Sequence, residues 1–106
     1  MSEKPLAVVL IEDLYETLEF HYPKLRLIEE GFEVKVVAPK KDYEYKSKEG
    51  YLEKSTHDFK EIDPSDVRVL VIPGGYAPDK LRRFQDCLDL VAKAYDKGAI
   101  IGMEHP

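Results

Sequence analysis

Four short apolar runs, with segments of helical character between them, constrain the fold of this chain most. The runs occupy residues 5–11, 32–38, 67–72 and 99–103 and are rich in Val, Ile, Leu and Ala. Continuous apolar runs are typical of strands covered on both faces, as in a parallel sheet. Alternation of such strands with helices predicts an α/β domain that has a mainly parallel sheet and right-handed crossovers.

Two helices are predicted between the runs, near residues 16–30 and 84–97, and each carries a stripe of apolar side chains. We expect each stripe to be the face that packs on the sheet. Asp13 is a candidate cap for the first helix, and Gly31 is well placed to end it. The two stripes are Leu18, Tyr22 and Leu25 in the first helix and Phe84, Leu88, Val91 and Tyr95 in the second.

The segment at 39–60 is polar and rich in Lys, Tyr and Glu, in contrast to the runs on either side of it. We expect a long excursion that contains a weak hairpin near residues 48–50, because Gly50 favours a turn. The motif at 63–66, Asp-Pro-Ser-Asp, predicts a turn or a single helical turn before the third strand.

Length and charge limit the function classes. The chain has 106 residues, which fits one domain, 1–106, and its net charge of −5 argues against a dedicated nucleic-acid binder. No run approaches the roughly 20 apolar residues of a membrane-spanning helix. Cys87 is the single cysteine and cannot form an internal disulfide, so we expect a cytoplasmic protein in which Cys87 is a buried apolar residue.

Polar residues and glycines follow three of the predicted strands. Glu12 follows the first strand, Gly74 and Gly75 follow the third, and Glu104 and His105 follow the fourth. Ligands of open parallel sheets bind just beyond the carboxyl ends of the strands, so we expect these residues to share one site. A glycine pair after a strand allows backbone N–H groups to hold a developing oxyanion.

Three stretches of the chain carry a family resemblance. They read LIEDLYETLEFHYPKLRLIEEGFEVKVVAP at 10–39, VLVIPGGYAPDKLRR at 69–83 and GMEHP at 102–106. In order and spacing they resemble the DJ/PfpI (ThiJ/PfpI) superfamily of the class I glutamine amidotransferase-like folds, and its PfpI-type intracellular protease branch most closely. The resemblance implies a flavodoxin-like sandwich, a homo-oligomer and no obligatory cofactor. It also implies peptide hydrolysis, glyoxalase-type conversion of small oxoaldehydes, or a chaperone-like role in stress.

The resemblance also implies roles for single residues. Glu12 matches the acid that hydrogen-bonds the family's nucleophilic thiol, and Gly74 and Gly75 match its oxyanion hole. His105 matches the histidine that directly follows the nucleophile. Asp79 matches an acid that approaches that histidine from a neighbouring subunit.

Position 104 departs from the family pattern, because Glu104 stands where the nucleophilic cysteine is expected. Two carboxylates at neighbouring strand ends, Glu104 and Glu12, would share a proton and titrate as a coupled pair. Together with His105 they are also a conceivable mixed metal site, but no other residues show ligand spacing, and neither a metal nor a cofactor is predicted.

Three functions stay open at this point. The first is a family member that has lost cysteine chemistry and keeps a binding, chaperone-like or scaffold role. The second is a hydrolase or glyoxalase-like enzyme that acts on a peptide or small molecule with Glu12 and Glu104 as acid and base. The third is a fragment or companion chain, since the sequence ends at the nucleophile turn, where family domains continue with a helix. An uncovered sheet face would be unusual in a soluble monomer, so we expect the chain not to be a stable monomer.

Overall fold

The computed structural model describes residues 4–15, 17–74 and 80–103. Seven strands and two helices of full length lie within these ranges, together with two short 3-10 turns at Phe59–Glu61 and Pro64–Asp66. In chain order they are β1 Leu6–Leu10, α1 Thr17–Glu29, β2 Glu33–Ala38, β3 Glu44–Lys46, β4 Leu52–Lys54, β5 His57–Asp58, β6 Val67–Ile72, α2 Gln85–Asp96 and β7 Ile100–Met103.

Five of the strands form one sheet in the order β5-β2-β1-β6-β7, and every pairing in it is parallel. β1 lies at its centre, where Val9 is level with Val36 on one side and Val71 on the other. All five residues of β1 are buried, because both faces of the sheet are covered there. The predicted parallel sheet is confirmed, with the short edge strand β5 in addition to the four expected strands.

The excursion contains the expected hairpin. β3 and β4 pair antiparallel as a separate two-stranded sheet, and Gly50 adopts a positive φ of 95° in the turn between them. The single helical turn expected at 63–66 is also present, since the Asp63 carboxylate accepts a hydrogen bond from Ser65 N–H at 2.9 Å and caps it.

Two layers of side chains enclose the sheet. On one face α2 packs through Cys87, Leu90 and Ala94. On the other face α1 packs through Phe20 and Leu27, beside residues of the hairpin. The result is the α/β sandwich that the alternation of elements predicted, of the flavodoxin-like type that the resemblance implied.

The predicted packing face of α1 is wrong. Leu18, Tyr22 and Leu25 are exposed, whereas Phe20 and Leu27 are buried. Interactions on the inner side orient the helix. The ring of Phe20 lies 5.1 Å from that of Tyr15, and Lys24 and His21 on the same side both approach the Glu53 carboxylate of β4.

The predicted face of α2 is also largely wrong. Phe84, Leu88 and Tyr95 are exposed, and only Val91 of the predicted stripe packs partly against the core. The small side chains of Cys87 and Ala94 flank Leu90 on the buried face, and small residues allow a helix to lie close to a sheet. Helix length was predicted well, since the helix expected near 84–97 spans Gln85–Asp96.

The boundary between α1 and β2 agrees with the prediction. Gly31 has a φ of 91°, the left-handed conformation that glycine adopts without strain, and Phe32 N–H donates to Leu27 O at 3.0 Å. None of the helices in the described ranges is long and apolar enough to cross a membrane.

Candidate functional site

The carboxyl ends of β1, β6 and β7 lie at one edge of the sheet. Glu12 comes two residues after β1 ends, and Gly74, which is buried, comes two residues after β6 ends. In register, Val9 is level with Val71 and Ile72 is level with Met103. Because the strands are parallel and adjacent, Glu12 and Gly74 are on the same edge, and the chain leaves β7 there as well.

Glu12 is half-buried at this edge, and its position is set by the backbone next to it. Its Oε1 atom accepts a hydrogen bond from Asp13 N–H at 2.8 Å, while Ile11 N–H just before it donates to Val37 O at 3.0 Å. A carboxylate has about four acceptor positions. The side chain therefore keeps acceptor capacity for a donor on a bound molecule.

The hairpin holds the loop that follows Glu12. The Asp13 carboxylate accepts Lys46 N–H at 3.0 Å, Leu14 N–H donates to Lys46 O at 2.8 Å, and Lys48 N–H donates to Tyr15 O at 2.9 Å. Asp13 thus joins the loop to the hairpin backbone, and its expected role as a cap of α1 stays a prediction.

Glu49, at the hairpin turn, contacts Thr17, the first residue of α1. Its Oε1 atom accepts hydrogen bonds from Thr17 N–H at 3.0 Å and from the Thr17 hydroxyl at 2.7 Å. The Thr17 hydroxyl also lies 2.7 Å from the hydroxyl of Ser47, which is buried. A residue of the excursion therefore satisfies an N–H of the first helical turn, which has no acceptor within the helix.

Tyr45 of β3 is buried beside this loop. Its pKa is raised from 10.0 to about 12, mainly by burial; the hydrogen bond from Lys40 N–H lowers the pKa, and the nearby Glu12 and Asp13 carboxylates raise it. The phenol therefore stays neutral at physiological pH. Tyr45 is buried, whereas the other two tyrosines of the excursion, Tyr43 and Tyr51, are exposed.

Sequence reasoning missed this contribution of the hairpin to the site. The sequence signal was Tyr45 between the charged residues Glu44 and Lys46. In the structure, residues 44–47 alternate between exposed and buried. Such alternation is typical of a strand with one face on the core. The polar composition of the whole segment concealed it.

Four of the six predicted site residues, Gly75, Asp79, Glu104 and His105, lie outside the described residues. Their roles stay predictions, as does the expected pairing of the Glu12 and Glu104 carboxylates. Within the described ranges, no three His, Cys, Asp or Glu side chains come together as they would around a metal ion.

Cys87 is buried in the core, as expected, and is not part of the strand edge that carries Glu12. The side chain is 4% exposed within the core between α2 and the sheet. Burial raises the pKa of the Cys87 thiol to about 11.

A cavity of about 960 Å³ opens at the amino-terminal edge of the sheet, among Lys4, Lys35 and Arg68. It lies opposite the strand ends that carry Glu12 and Gly74.

Comparison with known proteins agrees with this architecture. The model of the DJ-1/PfpI family matches residues 6–103. A deglycase from Pyrococcus abyssi is 34% identical over 91 residues, which cover 86% of this chain and 54% of that protein. The deglycase PfpI of Pyrococcus furiosus is 34% identical over 84 residues, which cover 79% of this chain and 50% of that protein.

A solved structure extends the likeness to three dimensions. The two-domain protein from Anabaena variabilis that contains DJ-1/ThiJ/PfpI-like and ferritin-like domains matches with a TM-score of 0.90 and 34% identity, over 94% of this chain and 29% of that one. The chain spans about half the length of the curated relatives it matches. The sequence and the fold together show that the chain belongs to the DJ-1/PfpI family, in its PfpI-type branch.

Proposed function

We propose that this chain is a family member without a cysteine nucleophile, and that it binds peptides or small molecules at the carboxyl edge of the sheet in a chaperone-like, stress-related role in the cytoplasm. The resemblance places the family's nucleophile at position 104, where this sequence has Glu104. Glu12 and Gly74 nevertheless lie together at the edge where such proteins react.

The state of Cys87 is the observation that carries the proposal. It is the only cysteine of the 106 residues, and it lies in the core under α2. The nucleophilic form of cysteine is the thiolate. With a thiol pKa raised to about 11 by burial, Cys87 holds its proton at neutral pH and is inaccessible to a substrate. No thiol of this chain therefore replaces the one missing at position 104.

The proposed ligand follows from the groups at the edge. Glu12 offers carboxylate acceptors, and the neutral Tyr45 phenol and buried Gly74 make the surroundings of the loop weakly polar. Peptide N–H groups, or hydroxyl and amino groups of a small molecule, are donors that suit a half-buried carboxylate. Binding should therefore weaken when Glu12 is changed to Gln.

Thiol chemistry tests the loss of the nucleophile. Wild-type protein should resist iodoacetamide until it is unfolded, because Cys87 is buried. Glu104→Cys should be alkylated readily, and faster than Glu44→Cys, a matched thiol at an exposed position of β3. Equal rates for the two introduced thiols would mean that the edge no longer activates a thiol, and would leave only the binding role. Rapid alkylation of wild-type Cys87 in the folded state would contradict the proposal.

An enzyme that uses Glu12 is the second candidate, and the half-buried position of Glu12 at the strand edge favours it. Peptidase and glyoxalase assays separate the two. We expect no turnover by the wild-type chain, together with suppression of aggregation of a heat-denatured client protein. Turnover that disappears in both Glu12→Gln and Glu104→Gln would establish the carboxylate enzyme instead.

A companion chain that completes its fold with another polypeptide is the third candidate. Ile100 on the edge strand β7 is 69% exposed, and the relatives are about twice as long as this chain. Addition of a polypeptide that corresponds to the unmatched part of a relative should then raise the melting temperature. An unchanged melting temperature would count against this candidate.

A further inference from the structure

A cleft opens at the amino-terminal edge of the sheet, at the opposite end of β1 from Glu12. Its volume is about 960 Å³, and pockets that hold small molecules commonly have about 300–1,000 Å³. The starts of β1, β2 and β6 line it, and β1 lies between the other two strands in the sheet. Because neighbouring strands are about 4.8 Å apart, the walls formed by β2 and β6 are roughly 10 Å from each other. Long side chains from both walls can therefore reach one small ligand between them.

Charged side chains line both walls of this cleft. Glu33 and Lys35 are two residues apart on β2, so they lie on the same face of that strand. Asp66 and Arg68 line the other wall, and Lys4 lies just before β1. Three cations and two carboxylates give the cleft one net positive charge, on a chain whose net charge is −5. The cleft is therefore a local exception to the negative charge of the chain.

The cations of the cleft are not paired with carboxylates in the part of the chain that the structure describes. Glu33 and Asp66 line the same cleft, yet neither forms an ion pair there with Lys4, Lys35 or Arg68. The lysines and arginines that do form ion pairs in the described ranges lie elsewhere, and they are Lys24, Arg26, Lys41 and Lys60. A lysine carries three N–H donors and an arginine carries five. The cleft therefore offers several charge-assisted donors to an anionic ligand.

A bulge in the sheet places Arg68 at this cleft. Leu6 is level with Val67 and Ala7 is level with Val69, so Arg68 is an extra residue without a partner in β1. A bulge bends its strand and re-aims a side chain, and bulges are common beside functional sites. They are rare between parallel strands, and this one occurs at a residue that lines the cleft. The irregularity and the charges thus mark the same place in the fold.

We propose that the cleft binds a small molecule that carries a phosphate monoester. A phosphate monoester has about −1.5 to −2 charges at pH 7, which suits three cations better than the single charge of a carboxylate. The planar guanidinium of Arg68 can bind two phosphate oxygens at once, while Lys35 contacts the phosphate from the other wall. Glu33 and Asp66 then accept hydrogen bonds from hydroxyl groups in the rest of the molecule. This proposal does not depend on the residues or the ligand of the carboxyl edge.

Isothermal titration calorimetry with glycerol 3-phosphate, at about 0.15 M salt, tests the proposal. Wild type should bind, and Arg68→Gln and Lys35→Gln should each weaken binding about tenfold or more, because each loses charge-assisted hydrogen bonds. Lys60→Gln is the matched control. It removes the same charge from an exposed lysine that pairs with Asp86 of α2, and it should bind like wild type. Absence of binding to wild type at millimolar ligand, or equal losses in all three variants, would overturn the proposal.

Loss of a carboxylate from the cleft should have the opposite effect. Asp66→Asn removes a negative charge that repels phosphate, so it should bind inorganic phosphate more tightly than wild type does. Asp66 is exposed and asparagine has the same size, so this variant decides the question even if Lys35→Gln fails to fold. Unchanged or weaker binding of phosphate by Asp66→Asn would contradict the proposed site.

Two further probes establish the chemical class of the ligand. Glycerate carries a carboxylate on the same three-carbon frame and should bind more weakly than glycerol 3-phosphate. Glycerol, which has no anionic group, should not bind. Equal affinity for glycerate and glycerol 3-phosphate would refute a phosphate site.

Discussion

Glu49 accepts two hydrogen bonds from Thr17, one from its backbone N–H at 3.0 Å and one from its hydroxyl at 2.7 Å, although 32 residues separate the two in sequence. The hairpin turn that carries Glu49 is thereby joined to the first turn of α1. A carboxylate near a helix N-terminus also interacts favourably with the helix dipole. The stability of α1 and the position of the hairpin should therefore be coupled.

Glu49→Ala should lower the free energy of unfolding by about 0.5–2 kcal/mol, the usual effect of removing a helix N-cap. Urea unfolding followed by circular dichroism measures the change. Glu44→Ala is the control, because Glu44 is exposed on β3 of the same hairpin, and it should change stability by less than about 0.5 kcal/mol. Equal effects of the two variants would show that Glu49 does not support α1.

Glu53→Gln should be more costly than loss of a surface ion pair. Glu53 lies 2.6 Å from Lys24 Nζ, and the two side chains are only 16% and 22% exposed. Removing the charge leaves a largely buried ammonium with a neutral acceptor, which should cost about 1–3 kcal/mol. Glu30→Gln breaks the exposed pair with Arg26 on the same helix and should cost less than about 0.5 kcal/mol. A small effect of both in thermal unfolding would contradict this ranking.

Stability should fall in alkaline solution because of Tyr15. Burial, and then the Glu53 and Glu49 carboxylates, raise the Tyr15 pKa from 10.0 to about 12. A folded-state pKa above the unfolded value means that the folded state holds the proton more firmly. This contribution to stability is complete below pH 10 and is lost as the pH rises towards 12.

Tyr15→Phe tests this dependence. The variant loses the hydrogen bond from the Tyr15 hydroxyl to Tyr51 O and should be less stable near neutral pH. Its stability should nevertheless decline less than that of wild type between about pH 10 and about pH 12, as measured by urea midpoints. An identical decline in both proteins would rule out Tyr15 as a source, while Tyr43→Phe, at an exposed position, serves as the control.

Leu14 lies in the loop after Glu12 with a φ of 67°, a conformation that a leucine side chain disfavours. Leu14→Asn should raise the free energy of unfolding by about 0.5–1 kcal/mol, because asparagine tolerates this conformation better. Leu14→Val, which is β-branched, should lower it. Thermal melts compare the two, and equal stabilities would mean that the backbone strain is negligible.

The strands were predicted well from sequence, and the packing faces of the helices were not. Strands such as β1 are buried on both faces, so nearly every residue is apolar and the signal does not depend on orientation. A helix buries one side, and α1 has apolar residues on two. Whether the Tyr22 side or the Phe20 side of α1 packs on the sheet depends on contacts with Tyr15 and with Glu53, which is 29 residues from Lys24 in sequence. Pattern analysis of the helix does not take such contacts into account.

The candidate site was predictable only where it depends on strand ends. Glu12 and Gly74 were expected at one edge because adjacent parallel strands end together, and they lie there. The hairpin contacts of Asp13 and Thr17 were not foreseen, because they link residues more than 30 positions apart through a segment of polar composition.

The central position of β1 also has a consequence for synthesis of the chain. Leu6 is level with Glu33 in β2 and with Val67 in β6, which is 61 residues later. At roughly 5–20 residues per second, a ribosome needs about 3–12 s to make the intervening chain. During that time one edge of the most apolar strand has no neighbour. The strand at the middle of the finished sheet is thus the one that nascent chains expose longest, and the one that cellular holdases have most opportunity to bind.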